Sequence, residues 1–114
     1  MALDKKRILS ADDLGKETLS IPEWGGDVIV RGLTGEEREE YENMAAANKA
    51  GDKNATRHWR ARLVAATVID DDGNDVFGPA DVQALSHKNA AILDRIVDVA
   101  LRLSGLMDDE SPGK

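Results

Sequence analysis

Polar and apolar positions alternate along Glu17-Thr18-Leu19-Ser20-Ile21, the period of two that marks a half-buried strand. Pro22 and the pair Gly25-Gly26 interrupt the pattern. Asp27-Val28-Ile29-Val30-Arg31 then resumes an extended run rich in β-branched residues. Two strands, at about 17–21 and 27–31, joined by a Pro/Trp/Gly-Gly turn, read as a β-hairpin. Thr34 and Glu37 have the S/T-x-x-E spacing of a capping box, so a helix is predicted to begin just after the hairpin.

From there the period becomes helical. The first long helix is predicted over Gly35–Lys49. Its first turns carry Glu36, Glu37, Glu39 and Glu40, which suits the positive end of the helix dipole. Tyr41, Met44, Ala45 and Asn48 share a face that is thin for a core helix, so this helix is expected at the periphery. The stretch 50–54 reads as a loop, with Gly51 near a C-cap and Asp52 or Asn54 as the next N-cap. A second helix is expected over about 55–69, with the stripe Trp59, Leu63, Ala66 and Thr67 widened by Val64 and Val68.

The run 70–75 is a polar turn, and Val76-Phe77 is a short apolar piece suited to a one-bridge strand. Gly78-Pro79 opens a short helix to about Leu85, with Pro at the first helical position and Asp81 in its first turn. Near the start of the chain, Ser10-Ala11-Asp12-Asp13-Leu14 predicts one turn capped by Ser10 and ended by Gly15. The last helix, about 87–104 with Ser86 as its N-cap, is the most sharply patterned element. Ile92, Leu93, Ile96, Val97, Val99, Ala100, Leu101 and Leu103 cover an arc of roughly 200° at ~100° per residue. An arc that wide packs against two neighbours, which makes this the central helix. Gly105 followed by Leu106 fits a Schellman stop.

These elements predict an α+β fold, mostly α, in which an N-terminal β-hairpin packs on a bundle of three to four helices. One domain is expected over 1–106, followed by a flexible acidic C-terminal tail over 107–114.

Composition narrows the function. The 114 residues suffice for one domain with a modest core, and 41% hydrophobic with 32% charged residues describes a folded chain. Trp24, Tyr41, Trp59 and Phe77 are the whole aromatic set, so the core must be aliphatic. The formal net charge of −7 opposes general nucleic-acid binding. The absence of cysteine excludes disulfides, thiolate metal sites and thiol nucleophiles. No segment has the apolar length of a membrane span, and Lys5-Lys6-Arg7 is followed by no apolar signal core, so a cytoplasmic protein is expected.

Candidate chemistry is sparse, and no enzyme and no cofactor are expected. His58 and His87 lie on different predicted elements, and no G-x-S-x-G, P-loop or H-E-x-x-H pattern occurs. Asp70, Asp72, Asn74 and Asp81 match positions 1, 3, 5 and 12 of a calcium loop. Asp75 stands where that loop needs Gly, however, Asp81 replaces its Glu, and Pro79 falls inside it, so a solvated turn is the better reading. Lys53, Arg57, His58, Arg60 and Arg62 surround Trp59, a pattern that also grips RNA. The simpler expectation is that Lys53, Arg57 and Arg60 share one helix face opposite the acidic Glu36-to-Glu42 helix, with Trp59 in the core.

Taken in order, several pieces resemble a tail assembly chaperone of long-tailed phages with flexible, non-contractile tails. They are Ser10-Ala11-Asp12-Asp13-Leu14, Ile21-Pro22-Glu23-Trp24-Gly25, Val28-Ile29-Val30-Arg31 and Leu33-Thr34-Gly35-Glu36-Glu37-Arg38. Arg62 through Asp70, Asp72 through Phe77, Asp81-Val82, Ile92 through Ile96 and Leu103 through Leu106 continue the series, so the resemblance spans about 10–106. It implies a chaperone that coats the tape measure protein, keeps it soluble and helps recruit tail tube protein during morphogenesis in the host cell cytoplasm. Such a chaperone is displaced as the tube grows and is absent from the mature virion. It further implies a frameshifted long form of the same chaperone as a partner; the Gly113-Lys114 codons are where a slippery run would fall. A homo-oligomer is plausible on the same ground, because coating a long client rewards multivalency.

No motif of that family names a binding residue. By analogy with helix-in-groove recognition, the partner-binding face is expected on the last two helices, at Leu85, Ile92, Leu93, Ile96, Val99, Leu103 and Leu106. The competing reading is a tail-completion, connector or other structural adaptor protein retained in the particle, and a small RNA-binding regulator comes third.

Overall fold

The computed structural model describes residues 2–106; the expected acidic tail and the Gly113-Lys114 pair lie outside the described residues. In chain order the elements are α1 (Lys5–Ser10), β1 (Lys16–Ile21), a 3-10 turn (Pro22–Trp24), β2 (Gly26–Arg31) and α2 (Gly35–Lys49). Then come α3 (Trp59–Thr67), β3 (Val68–Ile69), a second 3-10 turn (Pro79–Asp81), α4 (Val82–Leu85) and α5 (Ala90–Leu103). The α+β, mostly helical class is as expected.

The hairpin forms where the alternation places it. β1 and β2 pair antiparallel from Lys16↔Arg31 to Ile21↔Gly26. Gly25 closes the turn at φ 83°, a left-handed conformation that only glycine adopts without strain. Its N–H donates to the Pro22 carbonyl at 3.0 Å. On the face toward α5, Ile21 and Val30 are fully buried.

A third strand departs from expectation. The helix predicted to run to Ile69 stops at Thr67, and Val68–Ile69 pairs with β2 through Ile29↔Ile69 and Val30↔Val68. Two consecutive β-branched residues lose rotamer freedom in a helix. The uncovered edge of β2 offers them ladder bonds instead. The Asp70 carboxylate then shapes the following turn, accepting from the Asp72 and Asn74 amides at 2.9 Å each. The bridge back to β3 comes from Asp75 rather than from Val76-Phe77, and it leaves Val76 exposed and Phe77 half-buried against the core.

Two helix starts also differ. The first turn lies at Lys5–Ser10, not over 10–14, because the Asp4 carboxylate accepts from the Arg7 N–H at 2.9 Å and caps it earlier. The last helix begins at Ala90, capped by Asn89, whose side-chain oxygen accepts from the Ala91 N–H at 2.8 Å. Ser86 instead closes α4, its hydroxyl turned back to the Gln83 carbonyl. Gly105 stops α5 at φ 76°: Leu106 N–H donates to Leu101 O at 2.9 Å and Gly105 N–H to Arg102 O at 3.1 Å, the two bonds of a Schellman motif.

α5 is the centre of the molecule, packed between α3 and the sheet. Ile92, Leu93, Ile96, Val97, Val99, Ala100 and Leu101 are buried there, joined by Ala61, Leu63, Val64 and Ala65 from α3. Each large aliphatic side chain so buried contributes about 1.5–3 kcal/mol. At the rim, Arg102 pairs with Glu17 at 2.9 Å and Arg95 with Glu23 at 2.7 Å, two partly exposed links between α5 and the hairpin. That hydrogen bond from Arg95 holds the Glu23 carboxyl below its ordinary range.

α2 stands apart. Thr34 and Glu37 complete the capping box, with Glu37 N–H to Thr34 Oγ1 at 3.2 Å and Thr34 N–H to Glu37 Oε1 at 3.0 Å. Yet none of the 15 residues of α2, all of them described, is buried. The peripheral position expected from its thin apolar face is the one observed.

Candidate partner-binding groove

A groove opens where α2 leans away from α3. Tyr41, Met44, Ala45 and Asn48 form one wall, the helix face picked out by its spacing. Thr56 and Trp59 form the other, and Leu33, Leu63 and Ala66 line the floor toward the α2 N-terminus. Two concavities of about 190 and 100 Å³ share Tyr41, Met44 and Trp59 and so form one trough. Trp59, expected in the core, is half-buried at the edge of this trough, with the Arg60 guanidinium carbon 4.8 Å from its ring centroid.

The local sequence accounts for the opening. Asp52 Oδ1 accepts from the Asn54 and Ala55 amides at 3.1 and 3.2 Å, which holds 52–55 in a turn rather than a helix. His58 adopts φ 57°, so α3 begins only at Trp59. Arg62 Nη2 donates to Ala55 O at 2.6 Å and also meets Met44 Sδ at 3.3 Å, which spaces the turn from α2. The predicted helix–helix charge pairing does not form. Lys53 and Arg57 are in the turn, and Arg60 pairs with Asp94 of α5 at 2.6 Å.

One end of the trough is anchored. Arg31 holds Glu37 through two hydrogen bonds, of 2.8 and 2.9 Å, and also donates to Gly32 O at 2.8 Å. The guanidinium keeps the Glu37 carboxyl below its ordinary range, against the opposing effect of burial, and the Thr34 amide adds to the lowering. The same pair raises Arg31. Across α3, Ala65, Ala66, Phe77, Pro79 and Val82 line a further apolar hollow of about 460 Å³.

The seven positions expected to form the partner face divide differently. Leu85, Ile92, Leu93, Ile96 and Val99 are at most 6% exposed and belong to the core, so in this conformation they offer no surface to a partner. Leu103 and Leu106 are half-buried at the end of α5. An apolar arc of that width was consistent with either role. The sheet on one side and α3 on the other take up nearly all of it. Among the described residues no group of His, Asp or Glu is arranged to hold a metal ion, and no helix is long and apolar enough to cross a membrane.

The fold has a solved counterpart. The chain superposes on the tail assembly chaperone of bacteriophage HK97 with a TM-score of 0.59 and 22% sequence identity, over 90% of this chain and 95% of that one. No curated protein matches it in sequence. The family model for phage tail assembly chaperones matches residues 5–114, nearly the whole length, and on that match the chain belongs to the phage tail assembly chaperone family.

Proposed function

We propose that this chain binds the tape measure protein, keeps it soluble, and helps recruit tail tube subunits during tail morphogenesis in the host cytoplasm. On this reading it leaves as the tube grows and is absent from the finished virion, and it works beside a frameshifted long form of itself. The observation that carries the reading is the open trough of Tyr41, Met44 and Trp59 beside a helix with no buried residue. A chaperone must hold apolar client surface and let it go. Aromatic and thioether side chains on a lightly attached helix provide contact that adapts to many sequences. The acidic surface, with a net charge of −7, keeps a coated client dispersed.

The test is co-expression with the tape measure protein encoded by the same phage. The client is expected to be soluble with this chain and to precipitate with a Tyr41→Ala/Met44→Glu variant whose melting temperature is preserved. Mass spectrometry of purified virions adds an independent arm. Finding the chain at structural stoichiometry in particles would favour a connector or other adaptor instead.

A further inference from the structure

We infer that α1 is an anchor: it docks in the apolar hollow between α3, Phe77 and α4 of a second copy of this chain, so that copies associate head to tail. The contact is separate from the trough and from whatever the trough holds.

Among the described residues, four large apolar side chains are half exposed or more, and they fall in two places. Leu3, Ile8 and Leu9, at 64, 55 and 76% exposed, belong to α1 and the residue before its cap. Val76 stands between Asp75 and Phe77, both of which line the hollow. Apolar surface gathered in this way marks a contact.

α1 has no surface to rest on in its own copy. None of its six residues is buried, and none of them lines the hollow. Asp4 caps it, and Leu3 and Ile8 hold the N′ and N4 positions of a hydrophobic staple. Such local devices do not sustain it alone, since isolated helices shorter than about 12–15 residues are marginal in water. A capped apolar turn without cover is completed by a surface elsewhere.

The hollow complements it in shape and charge. Ala65, Ala66, Phe77, Pro79 and Val82 give it apolar walls. Its volume of about 460 Å³ falls within the ~300–1,000 Å³ of sites that enclose a whole ligand. α1 carries Lys5, Lys6 and Arg7, which enter no ion pair among the described residues. Asp75 lines the hollow. Asp81 Oδ2 accepts from the N–H of the lining residue Gly78 at 2.8 Å, which puts a second carboxylate at the rim. Asp71 and Asp72 are exposed on the turn that leads into it. Arg62 also reaches the hollow, but its Nη2 is engaged by Ala55 O at 2.6 Å and by Met44 Sδ at 3.3 Å. A second copy therefore supplies cover for α1 and filling for the hollow in one contact. The two surfaces differ, so each pair of copies leaves one α1 and one hollow free.

The experiment is sedimentation of the full chain from ~1 μM to ~1 mM, where concentration-dependent association is expected. Ile8→Asp/Leu9→Asp changes two exposed positions outside the core and is expected to weaken association at least about tenfold. Val82→Asp in the hollow should do the same, with its melting temperature checked beside it. Mixed one to one, the two variants should form a heterodimer and stop there, because only one intact α1 and one intact hollow remain between them. A synthetic peptide of residues 2–11 with a nitroxide at its C-terminal end should broaden the NMR signals of Ala66, Phe77 and Val82 in the unmodified chain. That arm decides the matter even if Val82→Asp fails to fold. Association unchanged in Ile8→Asp/Leu9→Asp, no association at any concentration reached, or broadening by the peptide only at other residues would each overturn the proposal. A label at Leu3→Cys that broadens the hollow of its own chain in dilute monomer would assign the contact within one copy and also overturn it. Client rescue is tested separately by Tyr41→Ala/Met44→Glu, so either reading can fail alone.

Discussion

Arg31 Nη1 and Nη2 meet Glu37 Oε1 and Oε2 at 2.8 and 2.9 Å, a two-bond pair that ties the last residue of β2 to the first turn of α2. Both side chains are largely shielded from solvent, 13% and 25% exposed, so the pair is better placed than the other five, which lie more exposed. It is the firmest attachment of a helix whose own residues are not buried.

The pair gives the molecule a pH dependence. Glu37 titrates below its ordinary 4.5 in the folded chain, so its contribution is fully present above that value. Stability should fall as pH drops below about 4.5 and the folded carboxylate takes up its proton. Glu37→Gln is expected to cost about 1 kcal/mol at neutral pH, discounted for partial exposure, and to flatten the acid limb. Urea unfolding at several pH values would measure both.

Hydrogen exchange should separate the helices. α2 amides are expected to exchange through local opening, well below the global unfolding free energy, while those of α5 exchange only on global unfolding. In Glu37→Gln the α2 amides should exchange faster still, with α5 unchanged apart from the loss in global stability. Equal protection of α2 and α5 would contradict the loose attachment of α2.

Core and groove substitutions should behave as different classes. Ile96 is 0% exposed, and Ile96→Ala is expected to cost 2–5 kcal/mol, about the range for a large-to-small core change. Its client solubilisation would fail only through unfolding. Tyr41→Ala removes a half-buried ring from α2 and should cost on the order of 1 kcal/mol or less, yet reduce client rescue. Thermal melts beside the co-expression assay distinguish the two.

Gly32 is the point where α5 meets the hairpin. A Cβ placed there would lie 3.2 Å from the Leu103 carbonyl oxygen and 3.3 Å from its carbon, both backbone atoms that cannot turn aside. Next to it, Leu33 N–H donates to Ser104 Oγ at 2.7 Å. Gly32→Ala is expected to cost about 1–3 kcal/mol, and more than Gly35→Ala, where an added Cβ meets nothing within 4 Å. Denaturant midpoints of the two variants would test it.

What the sequence determined by itself is what short-range chemistry controls. Alternation placed β1 and β2, the Thr34/Glu37 spacing began α2, and Gly105-Leu106 ended α5, because each depends on groups a few residues apart. The broad apolar arc of α5 likewise marked the central helix. Where two local solutions compete, tertiary contacts chose. Asp4 and Ser10 are both sound N-caps, as are Asn89 and Ser86, and Val68-Ile69 suits a helix end as well as a strand. Only the open edge of β2 made β3. The groove was legible as a face, Tyr41, Met44, Ala45 and Asn48, but not as a groove, because its opening depends on where α3 starts and how Arg62 spaces the turn from α2. The division of an apolar arc into core and partner surface belongs wholly to packing: burial is set by which element arrives opposite each residue, and a helical period alone carries no record of that.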